Sequence, residues 1–226
     1  YLFFIYLNMK KIVFIILILL FIILSIFKVN AGSLNFPLLG KTFYIDPGHG
    51  SKDKGTSHNN ADEKTLNLDI SKVLKQELEN MGASVFLTRD GDYDLSKPNA
   101  LYRKKSDFDS RIALINNSKA DMYLSIHQNY YKNAKYSGPQ VFYSKVVNEN
   151  IKIASSIQES LNKYTKNDRE IKKVPKTYMY DKLNVPGVLI ECGFISNPEE
   201  LKKLKNEKYQ KELSQSIITG IINYYK

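Results

Sequence analysis

The chain has one cysteine, Cys192, in 226 residues. A single thiol excludes an intrachain disulfide, so an exported domain of this kind must rely on its core or on a metal. It also lacks an Arg-rich block. Lys+Arg number 33 against 23 Asp+Glu, a formal charge of +10, but the lysines are scattered through a Lys-, Asn-, Ile- and Tyr-rich composition. Charge alone leaves an anionic partner open, whether membrane, cell-wall polymer or nucleic acid. The missing basic block argues against nucleic acid. There is no internal repeat and no long low-complexity segment. The acidic turn Asp90-Gly-Asp-Tyr-Asp94 lacks the continued ligand pattern of a calcium loop.

What is present begins with an address. Met9-Lys10-Lys11 precedes an apolar run, Ile12 to Phe27, broken only by Ser25 and closed by Lys28. Val29-Asn30-Ala31 follows as a small-residue cleavage site. This is the layout of an export signal, although the run is slightly long for a signal and slightly short for a full span. Residues 1–31 are therefore read as a signal peptide or an uncleaved membrane anchor. The lysines stay inside, which puts the remainder outside the cytoplasm. Tyr1 to Asn8 precede the first methionine and are read as not belonging to the biological chain. Residues 32–39 read as a linker and 40–226 as one domain, long enough for a well-formed core.

Within that domain, short apolar runs alternate with helical stripes. Strands are expected at Thr42–Ile45, Ala83–Thr88, Asp121–Ile126, Gln140–Ser144, Thr177–Tyr180 and Gly187–Ile190. Helices are expected at Asp62–Met81, Tyr102–Asn117, Val147–Tyr164 and Glu207–Tyr225, with a short helical turn opening at Asn197-Pro198. Gly48–Asn60, Arg89–Lys97 and Thr165–Val174 read as loops. The alternation predicts a single α/β domain with a largely parallel or mixed sheet.

Three polar residues share one address in that scheme. His49 follows the first strand on a Gly-His-Gly turn, His127 follows Asp121–Ile126, and Glu191 follows Gly187–Ile190. Catalytic groups of α/β sheets gather at the carboxyl ends of strands. Glu63 joins them. It lies three residues before Leu66 and seven before Ile70, on the buried stripe of the helix that follows His49. An inward-facing carboxylate must be paired or bound to a metal. Two histidines and a carboxylate suit a catalytic zinc site with an open position for water, and a second carboxylate outside the shell can move the proton. His58, on a polar loop, reads as solvent-exposed. Cys192, next to Glu191, points to the opposite face and reads as a small buried residue.

Six stretches together carry a resemblance: Ile45-Asp-Pro-Gly-His-Gly50, Glu63 before a Leu-rich helix, Thr88-Arg89, Arg111 before an Asn-containing helix end, Ser125-Ile-His-Gln-Asn129, and Val188-Leu-Ile-Glu-Cys-Gly-Phe-Ile-Ser-Asn-Pro198. In order, from about Gly40 to Lys226, they resemble the zinc-dependent N-acetylmuramoyl-L-alanine amidases often called amidase type 3. The resemblance implies a mixed, mostly parallel sheet of about six strands flanked by helices. It implies zinc on His49, Glu63 and His127, with Glu191 as catalytic acid/base. The implied reaction hydrolyses the amide between the lactyl group of N-acetylmuramic acid and the L-alanine of the stem peptide. Asp46, Arg89, Arg111 and Asn129 become candidates for supporting the ligands or touching substrate. Asp46 is expected to orient His49, and Arg89 or Arg111 to face the oxyanion or form structural ion pairs. Tyr130 departs from the small residue that commonly follows the Ser-Ile-His-x-Asn motif.

The stretch Leu101–Arg111 is similar to the subgroup that acts on spore cortex, where loss of stem peptides precedes muramic δ-lactam formation. The implied partners are cortex peptidoglycan strands, the membrane through the N-terminal segment, and an accessory activating protein. The implied location lies between the spore membranes or in the cortex. The competing readings are a non-catalytic peptidoglycan-binding domain and a zinc peptidase cutting within the stem peptide.

Overall fold

The apolar residues sort onto two sides of one sheet, and that sorting explains the topology. In the computed structural model, placement is described for residue 9 and for residues 11–23, 36–175 and 177–226. The expected cleavage site, the first eight residues and the first half of the expected linker lie outside the described residues. Residues 11–23 form a helix, α1, with exposed apolar side chains. Among the described residues, no helix is long and apolar enough to cross a membrane. Phe36–Lys226 forms one compact unit, in which Leu38 is already fully buried.

Six strands make the central sheet: β1 (Thr42–Pro47), β4 (Ser84–Leu87), β5 (Met122–Asn129), β6 (Gln140–Tyr143), β7 (Lys172–Lys173) and β8 (Gly187–Phe194), in the order β4-β1-β5-β8-β6-β7. The first four in that order run parallel, and β6 is antiparallel to β8. Two-residue strands β2 (Ser57–His58) and β3 (Ala61–Asp62) form a separate hairpin.

Period two along the strands decides the two cores. Phe43, Ile45, Met122, Leu124, Val188 and Ile190 face α2 (Glu63–Asn80), α4 (Glu149–Thr165) and α6 (Glu207–Tyr225). Their alternates Tyr44, Tyr123 and Leu189 face α3 (Arg103–Asn117) and the segment through Met179, Tyr180 and Leu183. The α2 stripe of Leu66, Ile70, Leu74 and Leu78 is buried throughout, as four-residue spacing on one helix face requires. The Asn197 carboxamide oxygen caps α5 (Pro198–Leu204) by accepting from the backbone N–H groups of Glu199 and Glu200 at 3.0 and 3.1 Å.

Four expectations are corrected. Thr177–Tyr180 is not a strand. Residues 178–182 form a turn that places Met179 and Tyr180 in the second core, because burial wins over local strand propensity. Thr165–Val174 is not all loop, since Lys172–Lys173 pairs with Phe142 and Tyr143 as an edge strand; lysines suit an exposed edge. The Gly48–Asn60 loop gives up Ser57–His58 to the hairpin, leaving His58 half-buried with its ring 6.1 Å from that of Tyr130. Finally, β5 and β8 run past His127 and Glu191 instead of stopping at them, and the two residues stand opposite each other in register.

Candidate active site

His49 is held where few non-glycine residues sit. Its φ is +63°, a left-handed conformation that persists only where surrounding contacts determine it. Two buried arginines supply those contacts. Arg89 donates to the carbonyls of Pro47 (3.0 Å), Gly48 (2.9 Å), Lys64 (2.8 Å) and Gly91 (3.0 Å). Arg111 donates to the carbonyls of His49 (2.6 Å) and Pro47 (2.9 Å) and to the carboxylates of Asp46 (2.6 Å) and Asp107 (2.9 Å). Arg89 is directed at loop carbonyls and Arg111 at loop carbonyls and internal carboxylates, the structural of the two roles expected of them. The expectation for Asp46 is corrected. Asp46 accepts from Thr88, Ser125 and Arg111, and acts on His49 only through the Arg111 bond to the His49 carbonyl.

Asp53 is the residue that meets the His49 ring. Its Oδ2 lies 3.1 Å from His49 Nδ1, which turns Nε2 toward Glu63 Oε1 at 3.2 Å. The sequence gives Asp53 no periodicity, and nothing but its place four residues after His49 could have flagged it. Burial opposes a charge on His49, but the hydrogen bonds to Asp53 and Glu63 outweigh it and lift its pKa to about 9.

Glu63 opens α2 and is buried. Its Oε2 accepts from Thr56 N at 2.9 Å, and its Oε1 accepts from Gln128 N at 3.2 Å and Asn67 Nδ2 at 3.4 Å. Asn67 stands one helical turn after Glu63 on the same face, the spacing that could have identified it. His127 reaches the same Oε1 with Nδ1, at 3.0 Å. Burial favours the neutral form of Glu63, yet hydrogen bonds from His127 and His49 hold its carboxyl well below the usual carboxylate range.

Two glycines make this convergence possible. A methyl group on Gly48 would lie 2.7 Å from His127 Nδ1 and closer still to Cε1 and Nε2. One on Gly55, at φ +64°, would lie 2.5 Å from Glu63 Oε2 and 2.7 Å from His49 Cδ2. The first glycine is needed for close approach, the second for approach and backbone conformation together. Gly48→Ala is therefore expected to displace the His127 ring and weaken metal binding by about tenfold or more. Chelator competition on the purified variant checks it, and a wild-type affinity would contradict the packing.

His49, Glu63 and His127 each offer one ligand atom, and these atoms lie within 4.8 Å of one another. Two imidazole nitrogens and one carboxylate oxygen form a donor set suited to zinc with an open coordination position. The residues fit the ion on a further ground. Glu191 Oε2 is buried and without a hydrogen-bond partner among the described residues. Burial, then the charge of Glu63, pushes the Glu191 carboxyl up to about 8, while His49 pulls the other way. A carboxyl poised near neutrality beside a group of candidate ligands is the kind of group that proton transfer uses. Cys192, next in the strand, lies fully buried in the opposite core. Asn129 ends β5 at a bulge, where its carbonyl accepts from Ile195 N at 2.9 Å.

A cavity of about 340 Å³ adjoins the cluster, lined by His49 and His127 and walled by Lys104, Phe108, Tyr178 and Met179. Tyr180 closes its inner side. The Tyr180 hydroxyl lies 2.9 Å from Ser125 Oγ and 3.4 Å from His127 Nε2, contacts that no sequence motif announces.

Comparison with known proteins places the chain. The germination-specific N-acetylmuramoyl-L-alanine amidase of Bacillus subtilis is 38% identical over 195 residues, covering 84% of this chain and 82% of that protein. The CwlD amidase of Clostridioides difficile, solved in complex with the GerS lipoprotein, superposes with a TM-score of 0.77 at 37% identity, covering 82% of this chain and 98% of that one. The catalytic domain of CwlV, an N-acetylmuramoyl-L-alanine amidase from Bacillus (Paenibacillus) polymyxa, gives 0.70 at 28% identity, covering 82% and 98%. The family model for N-acetylmuramoyl-L-alanine amidase matches residues 43–223. That match runs from the first strand of the sheet to the last turns of α6 and takes in every residue of the ligand cluster; the chain belongs to the N-acetylmuramoyl-L-alanine amidase family.

Proposed function

We propose that this amidase uses zinc held by His49, Glu63 and His127, with Glu191 as its acid/base, to strip stem peptides from spore-cortex peptidoglycan ahead of muramic δ-lactam formation. The observation that carries the reading is the meeting of three candidate ligand atoms from β1's following turn, α2 and β5, with the strand partner of His127 supplying a carboxyl that has one buried, unpartnered oxygen. The cortex assignment is supported by the germination-specific relative at 38% identity.

When bound, zinc supplies a Lewis acid for the scissile carbonyl and lowers the pKa of a water molecule. The chain does the rest. Asp53 fixes His49 through Nδ1, and the Gln128 and Thr56 N–H groups fix both oxygens of Glu63. The Glu191 carboxylate takes the proton of the attacking water and returns it to the leaving alanine nitrogen, the two-way task that a carboxyl tuned near neutrality performs best. The residues ahead of the domain would hold it at or beyond the membrane, where cortex is accessible. The complex of the CwlD relative with a lipoprotein supports an accessory partner of that kind here.

Mass spectrometry of digested cortex muropeptides tests the reaction. The expected products are free stem peptide and intact glycan. No release points to a binding domain, and shortened peptides still attached to glycan point to a peptidase. Chelation is expected to abolish release, and added Zn²⁺ to restore it. Release that survives complete chelation overturns the zinc assignment.

A further inference from the structure

A proton count around Tyr180 has a consequence for the metal site. Asp46 is buried and charged, its carboxyl held below the usual range because Arg111 and Thr88 outweigh the effect of burial. An ionised carboxylate only accepts. Ser125 therefore donates its one proton to Asp46 Oδ2, at 2.9 Å. That leaves the Ser125 oxygen as an acceptor toward Tyr180, 2.9 Å away, so the Tyr180 O–H points at Ser125. Only a lone pair of the Tyr180 oxygen remains for His127 Nε2 at 3.4 Å. His127 must then carry a proton on Nε2, which leaves Nδ1, the nitrogen that faces Glu63 Oε1 at 3.0 Å, as the one that can take a cation. Without metal a proton bridges these two atoms; a cation bound between them takes the place of that proton.

We propose that Tyr180 is a positioning residue for the metal site: through Ser125 and Asp46 it locks His127 in the Nε2–H tautomer and presents Nδ1 to zinc. The inference rests on the reading of His49, Glu63 and His127 as the zinc ligands. Metal-bound histidines are commonly fixed through their second nitrogen by a carboxylate or carbonyl. Here the carboxylate acts at two removes, through a serine and a tyrosine.

The turn that carries Tyr180 is built to hold it still. Tyr178 donates to Asp109 at 2.6 Å, with the Lys105 and Lys182 ammonium groups over its ring. Asn116 of α3 donates to the Lys182 carbonyl at 2.9 Å and accepts from Asn184 N at 3.0 Å. Met179 and Leu183 are buried on either side. A hydroxyl fixed in this way meets His127 without further ordering of the turn when metal arrives.

The test compares Zn²⁺ affinity of the full chain, by chelator competition, for wild type, Tyr180→Phe and Ser125→Ala. Tyr180→Phe keeps the ring and removes only the oxygen, so the core stays filled. It is expected to bind Zn²⁺ about 10- to 100-fold more weakly, with the melting temperature of the metal-free protein close to wild type. Ser125→Ala, which frees the Tyr180 proton to turn toward His127, is expected to weaken binding in the same direction. ¹⁵N NMR of the metal-loaded imidazoles is expected to show protonated Nε2 on His127 in the wild type. Wild-type zinc affinity in Tyr180→Phe, or an Nδ1–H tautomer in the wild type, overturns the role of Tyr180 while leaving the zinc site standing. A wild-type chain that binds no zinc at all overturns both.

Discussion

Glu191→Gln is expected to lower kcat by about 10³-fold, within the 10²–10⁴ that general acid–base catalysis contributes, while zinc content stays at the wild-type level. Glutamine has the same shape and loses only the ability to exchange a proton. Glu191 is not among the three clustered ligands, so the metal set stays intact. Stability gives a second, independent readout. Burial and the charge of Glu63 raise the folded-state pKa of Glu191 from 4.5 to about 8. A raised pKa means that the fold prefers the protonated acid, so metal-free wild type loses stability as pH rises through that interval. The glutamine variant has no proton to lose there. Its melting temperature, relative to wild type and without metal, is therefore expected to climb as pH rises from 4.5 to about 8. Turnover above a tenth of wild type would remove Glu191 from the chemistry.

Much of this arrangement could be read from the residues because the address was periodic. Glu63 falls on the same stripe as Leu66 and Ile70, so its burial followed from helix geometry. His127 and Glu191 each close an apolar run, and parallel pairing brings such positions to one edge. The actual register is tighter than that reading, since both residues lie inside their strands and face each other as direct partners. A polar residue inside a buried strand looks like its end, so the sequence pattern makes these strands look shorter than they are.

The remainder was hidden for identifiable reasons. Two-residue strands such as Ser57–His58 and Lys172–Lys173 are too short to show any period, and an edge made of lysines resembles a loop. Thr177–Tyr180 is rich in the aromatic residues strands favour, but the β6 edge was already paired with Lys172–Lys173. Asp53 and Tyr180 acquire their roles only from the placement of a ring that comes from elsewhere in the chain. Arg89 and Arg111 read more readily as structural cations than as oxyanion donors; their carbonyl partners on the His49 loop are a tertiary fact.

Arg111→Met is expected to be the most destabilising of these changes, by about 3–5 kcal/mol, the usual cost of removing one partner from a buried ion pair. Arg111 and Asp46 are each only 2% exposed at the side chain, and Asp107 is 9% exposed, so water cannot replace the guanidinium. At about 2–4 °C per kcal/mol for a domain of this size, the melting temperature should fall by roughly 6–20 °C. Methionine fills much of the volume, which assigns the loss to the stranded carboxylates and not to a void. Their protonation supplies the signature. With Arg111 in place the Asp46 carboxyl is depressed, and its stabilising contribution is lost only in strong acid. In the variant, burial acts unopposed by Arg111, the folded-state pKa of Asp46 rises, and protonation relieves the fold. The stability gap between wild type and variant should therefore narrow as pH falls. Zinc affinity should fall as well, because the His49 carbonyl loses the donor that holds its left-handed backbone. Asp46→Asn combined with Arg111→Met should recover part of the stability but not the zinc affinity, since the amide cannot restore the missing bond to His49. A gap that is small and independent of pH would mean that the buried network carries neither the fold nor the loop.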